Sequence, residues 1–183
     1  KFHLADLGNV KPGPTLEDTL FRIKEICAYL LEHAVIPIII GSSQDILLGQ
    51  YWAFEGLESM LHLLNVDAYI DMENQKESSL SKHYLSKIFE HEPNYLWNYT
   101  HLAHQSYLVD TNTLSTFGKI WVDAKRVGEI KNNIEKLEPI LRDTHLLSFD
   151  VSAIRKSDSP ACAHVTPFGL TSEEACQLAW YAG

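Results

Sequence analysis

Apolar residues along this chain follow two rhythms that alternate. Residues 16–33 place Leu16, Leu20, Ile23, Ile26, Cys27 and Leu30 at helical spacing, and residues 127–142 repeat that spacing with Ile130, Ile134, Leu137, Ile140 and Leu141. Between and after these stripes lie short, mostly apolar runs at residues 36–40, 60–66 and 144–149, which read as parallel strands buried on both faces. Residues 1–6 alternate as a strand does, 94–99 form a short aromatic run of strand length, and 119–122 make a further strand candidate.

Local start signals support the helices. Thr15 is a good N-cap with Asp18 at the third helical position, and Gly41, Ser42 and Ser43 turn the chain into a helix over 45–57. Residues 81–90 look helical, and 101–116 read as a loop followed by a helix. Thr171 opens a last helix with Glu173 and Glu174 in its first turn, where the helix dipole favours negative charge. Residues 72–82 are polar and aperiodic, and residues 151–169 carry Pro160 and Pro167, so both read as loops. Six strand candidates alternating with helices predict an α/β fold, a three-layer α/β/α arrangement around a mainly parallel sheet, in one domain over residues 1–183. Lys1 falls inside a strand-like segment, which points to a fragment of a longer chain.

Composition narrows the function classes. A hydrophobic content of 45% over 183 residues is enough for one sizeable core. The formal net charge of −9 and the absence of a basic run argue against a nucleic-acid partner. Cys27, Cys162 and Cys176 are odd in number and lack metal-binding spacing, so they read as reduced thiols of a cytoplasmic protein. The longest apolar run is too short to span a bilayer, and no membrane insertion is expected.

The candidate chemistry gathers where the strand at 60–66 ends. In open α/β sheets ligands bind outside the carboxyl ends of the strands. Asp67 and Asp71 follow one such end and Asp150 follows another, so all three should meet on one rim. Taken alone, an aspartate after a strand more often caps a helix or forms a turn. His83 reads as a surface histidine. His101 and His104 stand at i, i+3 spacing without a second carboxylate motif, and read as part of a solvated loop. Residues 41–45, GSSQD, resemble a nucleophile elbow but lack its closing glycine and any evident triad partner.

Four stretches, in order, resemble the ureohydrolase family of arginases, agmatinases and formimidoylglutamases. IIIGSSQDILLGQY at 38–51 is similar to a Gly-Gly-x-His turn, NVDAYIDM at 65–72 to Asp-x-His-x-Asp, and SFDVSAIRKSDSP at 148–160 to Ser-Phe-Asp-x-Asp. TPFGLTSEEACQLAWYAG at 166–183 looks most like the formimidoylglutamase branch, which also has stretches similar to 105–109 and 126–128.

The resemblance implies two manganese ions sharing bridging aspartates and activating one hydroxide. Asp67 and Asp150 match the bridging ligands and Asp71 a ligand of the first ion; Gln44, Tyr69 and Ser152 stand where the family has two histidines and an aspartate. Those three are neutral hydrogen-bonding groups, so the expectation is a degenerate metal site without catalytic residues or cofactor, rebuilt as a hydrogen-bonded carboxylate network with Lys156 nearby. The implied role is binding or structural, with a small amino-acid ligand, a protein partner or a homo-oligomer as its context. The alternative is a metal-dependent hydrolase of the C–N bond of a formimino or guanidino amino acid, using one Mn2+, Mg2+ or Ca2+.

Overall fold

A computed structural model describes residues 3–72, 79–120, 122–164 and 166–183. Its centre is a four-stranded, wholly parallel sheet of β1 (Leu61–Val66), β2 (Leu96–His104), β3 (Asp123–Arg126) and β4 (Leu146–Phe149), in the spatial order β3-β2-β1-β4. From β1 the chain winds through β2 to β3 on one side, then returns to place β4 on the other side of β1. The winding direction therefore reverses between β1 and β4, which opens a crevice at their carboxyl ends.

Each face of the sheet is covered, because β1 is apolar on both. Leu61 and Leu63 point into one cluster with Tyr99 of β2, packed under α1 (Leu16–Glu32), α2 (Leu47–Gly56), α3 (Tyr84–Phe89) and α4 (Thr111–Lys119). Leu64 and Val66 point the other way with Leu102, against α5 (Val127–Asn132), α6 (Glu138–Arg142) and α7 (Ser172–Ala182). These are the three layers of an arginase-like α/β fold. No helix among the described residues is long and apolar enough to cross a membrane.

Local chemistry accounts for the helix starts. The Thr15 hydroxyl accepts from Asp18 N–H while the Asp18 carboxylate accepts from Thr15 N–H, a capping box, and Thr171 with Glu174 repeats the arrangement at α7. Gly49 lets α1 and α2 approach closely, since a Cβ there would lie 2.6 Å from the Leu20 carbonyl oxygen.

Several expected elements differ. Residues 36–40 form no strand: Ile36, Ile38 and Ile40 are 85, 78 and 95% exposed while Ile39 packs on Ile23, Cys27 and Ala53. The segment alternates as an extended chain should, yet it has no hydrogen-bonded neighbour among the described residues, and β-branched composition without a ladder does not make a strand. Residues 3–6 likewise carry no strand, and residues 1–2 lie outside the described residues. The expected six strands are therefore four among the described residues.

Residue 119 ends α4, and the strand placed at 119–122 begins instead at Asp123, where polar residues form an edge. The strand at 94–99 extends through His104. The stripe at 127–142 breaks at Asn133, whose φ of −155° and ψ of 54° divide it into α5, a 3-10 turn over Ile134–Leu137 and α6. The helix placed at 45–57 starts as a 3-10 turn at Gln44–Ile46, and that at 81–90 narrows to α3 behind another such turn at Leu80–Lys82. Of the loop at 72–82, residues 73–78 lie outside the described residues.

Candidate functional site

The crevice between β1 and β4 is built by the chain that leaves each strand. Asp67 N–H donates to Leu102 O at 2.9 Å and Asp150 N–H to Val66 O at 2.8 Å, so both aspartates are held as continuations of the ladder. Each then turns the chain with its own carboxylate: Asp67 Oδ1 accepts from Tyr69 N–H at 3.0 Å, and Asp150 Oδ1 from Ser152 N–H at 2.6 Å. That second turn is the 3-10 segment Val151–Ala153, and it delivers Ser152 toward β1. The Ser152 hydroxyl donates to Asp67 Oδ1 at 2.7 Å.

Asp67 is 2% exposed, and burial pushes its carboxyl up to about 7. The Asp150 charge contributes to that rise, while the Tyr69 N–H, the Ser152 hydroxyl and the Gln44 amide act in the opposite direction. Burial also raises the Tyr69 phenol, with Asp67, Tyr107, Asp71 and Cys162 adding to the shift. Tyr69 is therefore a neutral phenol.

Gln44 enters from the other side of β1, where the turn after residue 43 brings it beside Asn65. Its Oε1 accepts from Tyr84 Oη–H at 3.0 Å, Asn65 Nδ2 donates to Tyr84 Oη at 2.8 Å, and Gln44 Nε2 reaches Asn65 Oδ1 at 3.5 Å. Burial holds the Tyr84 and Tyr99 phenols far above their ordinary range, so both keep their protons. Behind them, Tyr99 Oη lies 2.8 Å from His101 Nδ1, and His101 Nε2 lies 3.2 Å from the Asp67 carbonyl. A carbonyl only accepts, so Nε2 carries the ring proton and Nδ1 accepts from the tyrosine. Burial drives His101 down to about 3, which keeps the ring neutral.

The sequence reading thus placed Asp67, Asp150, Ser152, Tyr69 and Gln44 around one crevice, and the structure gathers them there. Asp71 lies on the same loop, half-buried and engaged with its surroundings. Among the described residues, however, no group of three or more His, Cys, Asp or Glu side chains is gathered closely enough to hold a metal ion. Lys156 is exposed, and among the described residues no ion pair joins it to Asp67 or Asp150.

Three histidine expectations are corrected. His101 and His104 are 0 and 5% exposed inside β2, not solvated, because a β2 longer than expected carries them under the sheet surface. His83 is 7% exposed at the start of α3, also not a surface residue. The elbow-like residues 41–45 lead through an extended Ser43 into the 3-10 turn that carries Gln44, which presents an amide and no nucleophile.

The supporting residues Asn65 and Tyr84 were not singled out from the sequence, and His101 was read only as part of a solvated loop. A signal did exist for two of them. Asn65 and His101 are polar positions in otherwise buried strands, and their register makes them neighbours across β1 and β2. Gln105 was also missed as a functional position, although its stretch carried the resemblance. It follows a bulge where Ala103 takes a φ of 73° and the β2 register slips between Leu102 and His104. Its side chain is 3% exposed, and its N–H donates to Ala68 O at 3.0 Å.

Comparison with known proteins agrees with this architecture. Trypanosoma cruzi formiminoglutamase with Mn2+ superposes with a TM-score of 0.85 at 18% identity, covering 96% of this chain and 61% of that one. Bacillus subtilis formimidoylglutamase gives 0.77 at 18% identity, covering 92% and 56%. The agmatine ureohydrolase of Thermoplasma volcanium gives 0.77 at 21% identity, covering 97% and 60%. At such identities the likeness carries the fold alone. The chain spans 56–61% of the length of these structures. No curated protein matches the sequence. The arginase family matches residues 1–181, essentially the whole chain and both strand ends that build the crevice, and the chain belongs to that family.

Proposed function

We propose that this arginase-family chain has lost the dinuclear manganese chemistry that its family resemblance implies, and that its carboxyl-end rim serves binding or structure. The observation that carries the reading is the Ser152 hydroxyl on Asp67 Oδ1 at 2.7 Å. It stands at a position the resemblance assigns to a metal-binding carboxylate, and it satisfies the carboxylate that would bridge two ions. Gln44, at a histidine position, turns its amide to Tyr84, Asn65 and the Asp67 carboxyl. Tyr69 would ligate only as a phenolate, and its surroundings disfavour that form.

The donor set does not fit two manganese ions. An amide, a phenol and a hydroxyl replace two imidazoles and a carboxylate, and a site without nitrogen donors competes poorly with water for manganese. The second ion would keep only the bridging groups.

What remains at the rim is the buried Asp67 with Asp150 beside it, neutral hydrogen-bonding groups around them and the Tyr69 ring nearby, a set that suits a small polar ligand such as an amino acid. The test is metal content after purification, manganese titration by calorimetry, and a formimidoylglutamate hydrolysis assay with manganese added. The expected outcome is no stoichiometric manganese and no turnover. Manganese-dependent turnover abolished by Asp150→Ala would replace this reading with the alternative, a hydrolase of a formimino or guanidino C–N bond.

A further inference from the structure

The segment that follows β4 makes an excursion from the sheet and returns, and its two ends are pinned close together. Arg155 N–H donates to Leu170 O at 2.9 Å and Leu170 N–H to Ala153 O at 2.8 Å. Gly169 brings the returning strand so close that a Cβ there would lie 2.6 Å from Arg155 N. Lys131 Nζ donates to Gly169 O at 2.8 Å, and Asp158 Oδ2 accepts from Ser172 N–H at 2.9 Å. All of these contacts secure the base of the excursion, on the side of α5 and α7.

On the crevice side, beyond the Ser152–Asp67 bond near its start, the buried Gln105 amide connects the returning part of the segment to the rim. Gln105 Nε2 donates to Thr166 Oγ1 at 2.7 Å and to Phe168 O, while its Oε1 accepts from Tyr107 Oη–H. The backbone of the same residue is tied to Ala68, between Asp67 and Tyr69. One residue therefore touches the loop after β1, the turn after β2 and the segment after β4. The Tyr69 phenol lies within electrostatic reach of both Tyr107 and Cys162, so the loop after β1 is near the groups that this amide holds. Tyr107 and Phe168 are 66 and 71% exposed, and a surface aromatic ring needs some such tether to keep one orientation.

We infer that Gln105 is the positioning residue of the rim, fixing the segment after β4 and the Tyr107 ring through one side-chain amide. The inference rests on the reading of the rim as the binding site, but its test needs no ligand, so the two can fail separately. Cysteine chemistry provides the readout, because all three thiols are free and differ in setting: Cys162 is half-buried on the segment itself, Cys176 is exposed on α7, and Cys27 is on the buried face of α1.

In Gln105→Met, which keeps the side-chain length and removes both donors and the acceptor, alkylation of Cys162 by iodoacetamide should accelerate roughly tenfold. Cys176 should react at its unaltered rate and Cys27 should stay protected, which separates local release from global unfolding. Gln105→Glu, which keeps the acceptor for Tyr107 but loses the donors, should accelerate Cys162 as well. Unchanged Cys162 reactivity in folded Gln105→Met overturns the inference. If that variant does not fold, Thr166→Val decides instead: acceleration at Cys162 supports the assignment, and no change overturns it.

Discussion

Ser152 and Asp67, 85 residues apart in sequence, meet through a 2.7 Å hydrogen bond across the crevice between β4 and β1. The bond ties the two strand ends on either side of the point where the winding of the sheet reverses. It also gives a buried carboxyl a donor in place of water. Removing that donor in Ser152→Ala should cost about 1–2 kcal/mol, read from the midpoint of urea unfolding at constant slope. Ser152→Asp should destabilise further, since a third carboxylate would join Asp67 and Asp150. Combined as Gln44→His, Tyr69→His and Ser152→Asp, the substitutions should recover tight binding of two manganese ions, visible by calorimetry. If they recover none, the loops no longer hold the family's geometry.

Tyr84 supplies a second test of the network. Its hydroxyl is both donor to Gln44 and acceptor from Asn65, and Asn65 is 1% exposed. Tyr84→Phe keeps the ring in the core and leaves the Asn65 amide without that partner. A loss of about 1–2 kcal/mol is expected, with no change in the size of the unfolding transition. A neutral result would mean that Gln44 and Asn65 satisfy each other once the hydroxyl is gone.

Two glycines make opposite predictions from steric room alone. At Gly49 a Cβ would press within 2.6 Å of the Leu20 carbonyl, backbone that cannot swing away, so Gly49→Ala should cost about 1–3 kcal/mol by forcing α1 and α2 apart. At Gly118, inside α4, nothing lies within 4 Å of the same atom. Gly118→Ala should therefore gain roughly 0.5–1 kcal/mol from helix propensity. Thermal melts of the pair should move in opposite directions.

How far the chain could be read in advance depended on how local the cause was. Thr15 and Thr171 announced their helices because a capping box is complete within four residues. β1 was legible because burial on both faces leaves a mostly apolar run, interrupted only by His62 and Asn65, and Asp67 followed from its end. Residues 36–40 carry an equally apolar run, but a strand requires a partner, and composition says nothing about whether one is present. β3 erred the other way: Asp123, Lys125 and Arg126 are polar because the strand lies at a sheet edge, so its neighbours 119–122 looked the better candidate. His101 was read as solvated because its partners, Tyr99 Oη and the Asp67 carbonyl, meet it only after β1 and β2 align. The crevice itself was legible as a set of positions. Its wiring through Tyr84, Asn65 and Gln105 was not, since each of those contacts crosses between elements.

Asp67 and His101 should impose opposing pH dependences on stability, and the opposition makes each detectable in the absence of the other. Asp67 is held up to about 7 from an ordinary 3.8, so the folded chain binds the proton more tightly than the unfolded one. Its contribution is fully present below the unfolded value and is lost as pH rises through the folded one. His101 is held down to about 3 from 6.5, so here the unfolded chain takes the proton first. That contribution is complete above the unfolded value and is lost as pH falls toward the folded one. The windows overlap between the two unfolded values, where each group can contribute a slope of up to about 1.4 kcal/mol per pH unit, with opposite signs. The unmodified protein should accordingly show little net slope from this pair. Asp67→Asn keeps an acceptor for Ser152 and removes the titration, so its urea midpoint should rise between about pH 4.5 and about pH 6.5. His101→Gln removes the other limb, and its midpoint should fall across the same interval. If both variants retain the profile of the unmodified protein, neither group is buried in the state described here, and the network linking the rim to the core would have to be redrawn.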